Sequence, residues 1–113
     1  MSNRILYTAP LLIAAVALAM LPTPAPAQQG EPIRVGTSLP LTGTRSVNGE
    51  KHRKGFVLCV EMINDKGGLL DRPVELIVSD NRSDAGTAIA QYERLINVDQ
   101  VDLIFGTFSS ALT

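Results

Sequence analysis

The sequence predicts an α/β fold on an open parallel sheet, with elements in the order β-α-β-α-β. Three observations carry this. Segments rich in β-branched residues alternate with segments whose apolar residues recur at helical spacing. The last apolar run, residues 101–105, is continuous after Asp102, which suits a parallel strand covered on both faces. Turn-forming clusters separate the segments, so each strand is followed by a crossover. Such alternation implies right-handed connections and a ligand crevice beyond the carboxyl ends of the strands.

The amino terminus reads as a secretory leader, residues 1–27. Arg4 supplies the positive start, residues 11–21 are uniformly apolar, and Ala25-Pro26-Ala27 fits the small-residue cleavage rule. The apolar run is shorter than the roughly 18 to 20 residues of a spanning helix, and Pro10 and Pro22 bracket it. No cysteine follows it, so a lipid-modified terminus is not indicated. The mature segment, residues 28–113, is expected to lie outside the cytoplasm.

Ile33-Arg34-Val35-Gly36-Thr37-Ser38 alternates apolar with polar or small residues and runs into Pro40 and Gly43, the pattern of a first strand entering a loop. Over residues 48–65 the period changes. Phe56, Cys59, Val60 and Ile63 fall at i, i+3, i+4 and i+7, and Gly67-Gly68 offers the positive φ of a helix exit. Residues 73–80 form the second strand, closed by the polar cluster 81–84, where Ser83 or Asp84 can cap a second helix. Ala88, Ile89, Tyr92, Leu95 and Ile96 share one face of that helix, with Gln91, Glu93 and Arg94 expected to point away; it ends near Asn97. The residues after Ser109 read as the start of a third helix. The last strand is then an open apolar edge, which predicts an amino-terminal fragment that is poorly soluble and binds no ligand by itself.

Ten basic residues, less Arg4 of the leader, face eleven acidic ones, and tryptophan is absent. That balance gives no footprint for nucleic acid and no base-stacking surface. Cys59 is the only cysteine and is expected to be buried packing. No glycine-rich phosphate cradle occurs, so no cofactor is implied, and the serine pair Ser109-Ser110 lacks the flanking glycines of a nucleophile elbow. His52, the single histidine, lies among Glu50, Lys51, Arg53 and Lys54 and reads as a solvated turn; a base for a serine is the sharper alternative. With one histidine and one cysteine, no metal site is expected. Asn81-Arg82-Ser83 matches the glycosylation tripeptide, yet these residues are already explained as the exit from the second strand.

Topology brings residues 39–48 and 107–110 to one rim. If a helix begins at Ser109 and Ser110, its first N–H groups and the two hydroxyls make a site for a carboxylate. A hydrogen bond to a charged group contributes about 1.5 to 3 kcal/mol and a helix end about 0.3 to 2, whereas micromolar affinity requires about 8. A second lobe closing over the ligand is the natural source of the remainder.

Ile33-Arg34-Val35-Gly36 with Leu39-Pro40-Leu41-Thr42-Gly43, then Asn64-Asp65-Lys66-Gly67-Gly68-Leu69-Leu70, Val78-Ser79-Asp80-Asn81 and Gly106-Thr107-Phe108-Ser109-Ser110, resemble the leucine/isoleucine/valine-type periplasmic binding proteins, the receptors of branched-chain amino-acid ABC importers. The resemblance runs in order through the mature segment. It implies a type I two-lobe receptor, of which this chain is the start of the first lobe. It also implies that Ser110, with Ser109 beside it, binds a ligand α-carboxylate, that Phe108 borders the pocket, and that a side chain near Asn48 lies over the ligand. The amino-acid receptors often carry an aromatic residue there, whereas this loop reads Thr44-Arg45-Ser46-Val47-Asn48. Arg45 and Asn48 suit a more polar or acidic solute.

The function expected is therefore periplasmic capture of a carboxylate-bearing solute, an amino acid or a related acid or amide, for delivery to a membrane ABC permease, without catalysis and as a monomer at full length. Two other classes compete. One is a secreted α/β hydrolase using Ser109 or Ser110 as nucleophile; the other is a ligand-sensing receptor ectodomain.

Overall fold

The computed structural model describes residues 30–112; the leader assigned to residues 1–27 lies outside them. Five elements follow in the expected order: β1 (Ile33–Leu39), α1 (Ser46–Asp65), β2 (Val74–Asp80), α2 (Ala85–Asn97) and β3 (Leu103–Phe105). The sheet is parallel with strand order β2-β1-β3. β1 pairs with β2 along its whole length, from Ile33 opposite Val74 to Leu39 opposite Asp80. With β3 it pairs only from Val35 opposite Leu103 to Thr37 opposite Phe105.

Being central, β1 is buried at every position except half-buried Arg34. Its two faces meet different helices. Ile33 and Val35, with Val74 of β2, form the core against Val60 and Ile63 of α1. On the opposite face Gly36 leaves room for Leu95 of α2, and the Ser38 hydroxyl donates to Gln91. The chain moves from β1 to β2 on one side and then passes over β1 to β3 on the other. The direction of winding therefore switches between β1 and β3, where an open α/β sheet places its crevice.

The ends of α1 are fixed by contact rather than by side-chain capping. No side chain caps its start, and a Cβ on buried Gly49 would overlap the Pro40 carbonyl, so the helix can lie on the β1 exit only because residue 49 is glycine. At the other end Gly67 and Gly68 take φ of 100° and 83°, and the Gly68 N–H donates to Ile63 O at 2.9 Å. Asn64 ties this end to β2, accepting from Val74 N at 2.8 Å and donating to Val74 O at 2.9 Å.

Several packing expectations are corrected. β3 holds three residues rather than five and is not covered on both faces: Leu103, Ile104 and Phe105 are 52 %, 41 % and 43 % exposed. The Asp102 carboxylate accepts from Arg34 N at 2.8 Å, taking a position that a strand carbonyl would occupy and ending the ladder there. Cys59 is exposed, not buried; with Phe56 and Val60 it lines an apolar cleft whose far wall is Leu103 and Phe105. On α2 the expected inner face is narrower, because Ala88 and Leu95 are buried while Ile89 and Ile96 are exposed. Gln91 points inward, not away: its Nε2 donates to Asp80 O at 2.8 Å and its Oε1 accepts from Ser38 at 2.7 Å. Among the described residues no helix is long and apolar enough to cross a membrane.

Candidate functional site

The rim at the carboxyl ends of the strands is a hydrogen-bonded frame. Asp80, the last residue of β2, binds the loop after β1: its carboxylate accepts from Leu41 N at 2.9 Å, Thr42 N at 3.2 Å and the Thr42 hydroxyl at 2.7 Å, and also from Arg82 N at 2.8 Å. Asn81 is fully buried and joins the end of β1 to the loops after β2 and β3. Its Nδ2 donates to Ser38 Oγ and to Thr107 Oγ1, both at 3.1 Å, and its Oδ1 accepts from Ser83 N at 3.0 Å. Ser83 Oγ then accepts from Arg45 N at 3.1 Å and donates to Thr42 O at 2.8 Å. Burial of Asn81 gives the tripeptide at residues 81–83 a structural explanation. The Tyr92 hydroxyl donates to Phe105 O at 2.8 Å and holds the end of β3 against α2.

Burial pushes the Asp80 carboxyl up, but the bonds from the Thr42 hydroxyl and from the Arg82, Leu41 and Thr42 N–H groups outweigh it and hold the group below the usual carboxylate range. A carboxyl depressed by folding stabilises the fold above its unfolded value of about 4, and the contribution is lost as pH falls through the folded value. Urea midpoints measured from pH 6 downward should therefore fall below about pH 4, and Asp80→Asn should make that acid fall shallower. An identical slope in the variant would contradict this role. Asp84 caps α2, accepting from Thr87 N and the Thr87 hydroxyl, both at 2.7 Å, and these bonds lower its pKa as well.

The residues singled out from sequence fall around this frame. Arg45 directly precedes α1 and is half-buried; its carbonyl accepts from Asn48 N and Gly49 N. Asn48 is exposed on the first turn of α1. His52, one turn further along, stands edge-on to Phe108 at 5.1 Å between ring centroids, so the start of α1 and the β3 exit do meet. The solvated reading of His52 is right about exposure but omits these rings: Phe56 lies 6.4 Å away.

Residues 109–112 form a tight turn and not the first turn of a helix. Ser109 has φ 86°, its Oγ accepts from Ala111 N at 3.3 Å and its carbonyl accepts from Leu112 N at 3.0 Å. The exposed Ser110 sits at the tip. The anion-binding argument from a helix end therefore does not apply, and what this turn offers a ligand is hydroxyl and N–H groups. Sequence reasoning missed the frame of Asp80, Asn81, Ser38 and Thr107, because Asp and Asn after a strand also suit ordinary turns. It also missed Thr37, whose buried hydroxyl has no hydrogen-bond partner among the described residues. No group of three His, Cys, Asp or Glu side chains able to hold a metal occurs among the described residues.

Residues 32–113 match the family model described as periplasmic binding protein. Leu/Ile/Val-binding protein homolog 7 of Brucella suis is 38 % identical over 99 residues, covering 88 % of this chain and 24 % of that protein. Among solved structures, the branched-chain amino acid transporter substrate binding protein LivJ of Streptococcus pneumoniae, in complex with isoleucine, superposes with a TM-score of 0.63 at 26 % identity, over 65 % of this chain and 21 % of that one. The leucine binding protein LivK of Thermotoga maritima gives a TM-score of 0.61 at 28 % identity, over 71 % of this chain and 22 % of that one. The chain thus spans about a quarter of the length of the curated relatives it matches.

Proposed function

The chain belongs to the periplasmic binding protein family, and from this premise we propose that residues 28–113 are the opening part of the first lobe of an ABC importer's solute-binding component, exported by the leader at residues 1–27. The component captures a carboxylate-bearing small molecule between two lobes and presents it to a membrane permease without transforming it. The observation that carries this reading is the convergence, at the point where the winding of the sheet switches, of the serine turn after β3 with the start of α1.

In this reading the Ser110 hydroxyl donates to the carboxylate, with Ser109 beside it and Phe108 bordering the pocket. Asn48 and Arg45 lie across from the serines and favour a polar or acidic remainder of the solute. The isoleucine in the LivJ complex itself carries an α-carboxylate, which supports the class of ligand. Hydrogen bonds to a charged group, about 1.5 to 3 kcal/mol each, do not reach micromolar affinity from this wall alone. Closure of the second lobe supplies the rest of the contact surface and excludes water.

Replacing Ser110 by alanine in the full-length two-lobe protein is expected to weaken solute binding at least about tenfold, which corresponds to about 1.4 kcal/mol. Titration calorimetry giving equal affinities for the variant and the parent would remove the assignment to Ser110.

A further inference from the structure

The three phenylalanines and the single histidine of the chain form one run of rings. Phe105, at the end of β3, stacks on Phe56 of α1 at 5.1 Å with an interplanar angle of 4°. Phe56 meets His52 edge-on at 6.4 Å and 88°, and His52 meets Phe108 at 5.1 Å and 74°. The run begins on the sheet, crosses α1 and ends on the turn that carries Ser109 and Ser110. No such arrangement can be read from sequence spacing, since residues 52 and 108 lie on different elements.

β3 is short and has β1 as its one strand partner, with the Tyr92 hydroxyl holding Phe105 O at its end, so the loop after it needs restraint of its own. Thr107 is held by Asn81. Beyond Thr107, the ring contact from His52 ties Phe108, and thereby the serine turn, to α1. The position of Asn48 one turn before His52 on the same side of α1 gives the contact a further consequence: a ring that holds Phe108 also sets the spacing between the two halves of the rim.

We infer that His52 is a positioning residue for solute binding, acting through its edge-on contact with Phe108 to hold the Ser109–Ser110 turn opposite Asn48. The inference rests on the carboxylate-binding role proposed for that turn. His52 is exposed, so its ring adds little to the core, and its effect on the turn is separable from its effect on stability. Edge-to-face aromatic pairs stabilise by amounts equivalent to about two- to tenfold in an equilibrium constant.

The test uses the full-length protein and a probe panel of the common amino acids with simple mono- and dicarboxylates, the tightest binder being carried forward. Four proteins are titrated by calorimetry: the parent, Ser110→Ala, His52→Ala and His52→Phe. The expected result is binding weakened about two- to tenfold in His52→Ala, restored towards the parent in His52→Phe, with urea midpoints of both His52 variants close to the parent. Unchanged affinity in His52→Ala beside weakened affinity in Ser110→Ala overturns the inference and leaves the binding reading standing. A His52→Phe variant as weak as His52→Ala also overturns it, because ring packing would then not be the cause. A parent protein that binds no member of the panel overturns the carboxylate reading and the inference with it.

Discussion

Gly49→Ala is expected to destabilise the fold by about 3 kcal/mol, the upper end of the usual range for overpacking a packed site. A Cβ at residue 49 would overlap the carbonyl oxygen and carbon of Pro40. Neither partner is a flexible side-chain end that could swing aside. Pro40 is itself buried, fixed between the end of β1 and the Asp80-bound Leu41. Relief therefore requires the first turns of α1 to lift from the β1 exit, and that movement carries Arg45, Asn48 and His52 away from the rim. The same substitution at Gly55, on the same helix with nothing near its Cβ, serves as the control. There alanine is expected to be neutral or to stabilise by up to about 1 kcal/mol through its helix propensity. Urea unfolding of the two variants measures the difference, and equal midpoints would show that the Pro40 contact does not hold α1 in place.

The second large effect belongs to Asn81. Asn81→Ala removes two donated bonds and one accepted bond from a fully buried side chain. It strands the Ser83 N–H and leaves a polar-lined void where Ser38, Ser83 and Thr107 had converged. At about 1 to 3 kcal/mol for a buried group left without its partner, the expected loss is about 2 to 4 kcal/mol. Asn81→Asp separates the parts: it retains an acceptor for Ser83 N but cannot donate to the two hydroxyls. It should remain destabilised, by less than the alanine variant. Because Thr107 leads directly into Phe108 and the serine turn, solute affinity should fall in both variants. A stable Asn81→Ala protein with parental affinity would mean that the rim does not depend on this frame.

The parts of the fold legible in the sequence are those governed by local periodicity. β1, α1, β2 and α2 are marked by changes between strand and helix spacing, and Gly67-Gly68 marks the exit of α1 through the positive φ that both glycines adopt. What escaped depends on neighbours distant in sequence. Cys59 lies on the expected stripe of α1, but it lines a cleft between α1 and the short β3 and is exposed there, so position on a helix did not determine burial. Gln91 is polar and was expected to face outward; only the Ser38 hydroxyl and the Asp80 carbonyl beneath it make the inward orientation favourable. The late start of β3 was likewise invisible, because the Asp102 carboxylate takes the Arg34 N–H.

At the site, the shared rim followed from topology, since any parallel β-α-β-α-β unit brings the loops after its strands to one end. The hydroxyl pair was visible as residue types, whereas its setting was not. A turn with Ser109 at positive φ replaces the expected helix start. In the proposed reading, this moves the weight of carboxylate recognition from a helix end to individual hydroxyl and N–H donors. It also increases the importance of whatever holds those donors in place, which is the frame around Asn81 on one side and the aromatic run on the other.

The central claim is that the rim recognises a carboxylate. Calorimetry on the full-length protein, comparing its tightest-binding acid with the matching primary amide, tests this most directly. The amide keeps the size and most of the shape of the acid but not its charge, and hydrogen bonds to charged groups are about twice as strong as neutral ones. The account predicts that the acid binds at least about tenfold more tightly than its amide, and that this preference shrinks in Ser110→Ala. Equal affinity for acid and amide, or a preference that Ser110→Ala leaves unchanged, would contradict it.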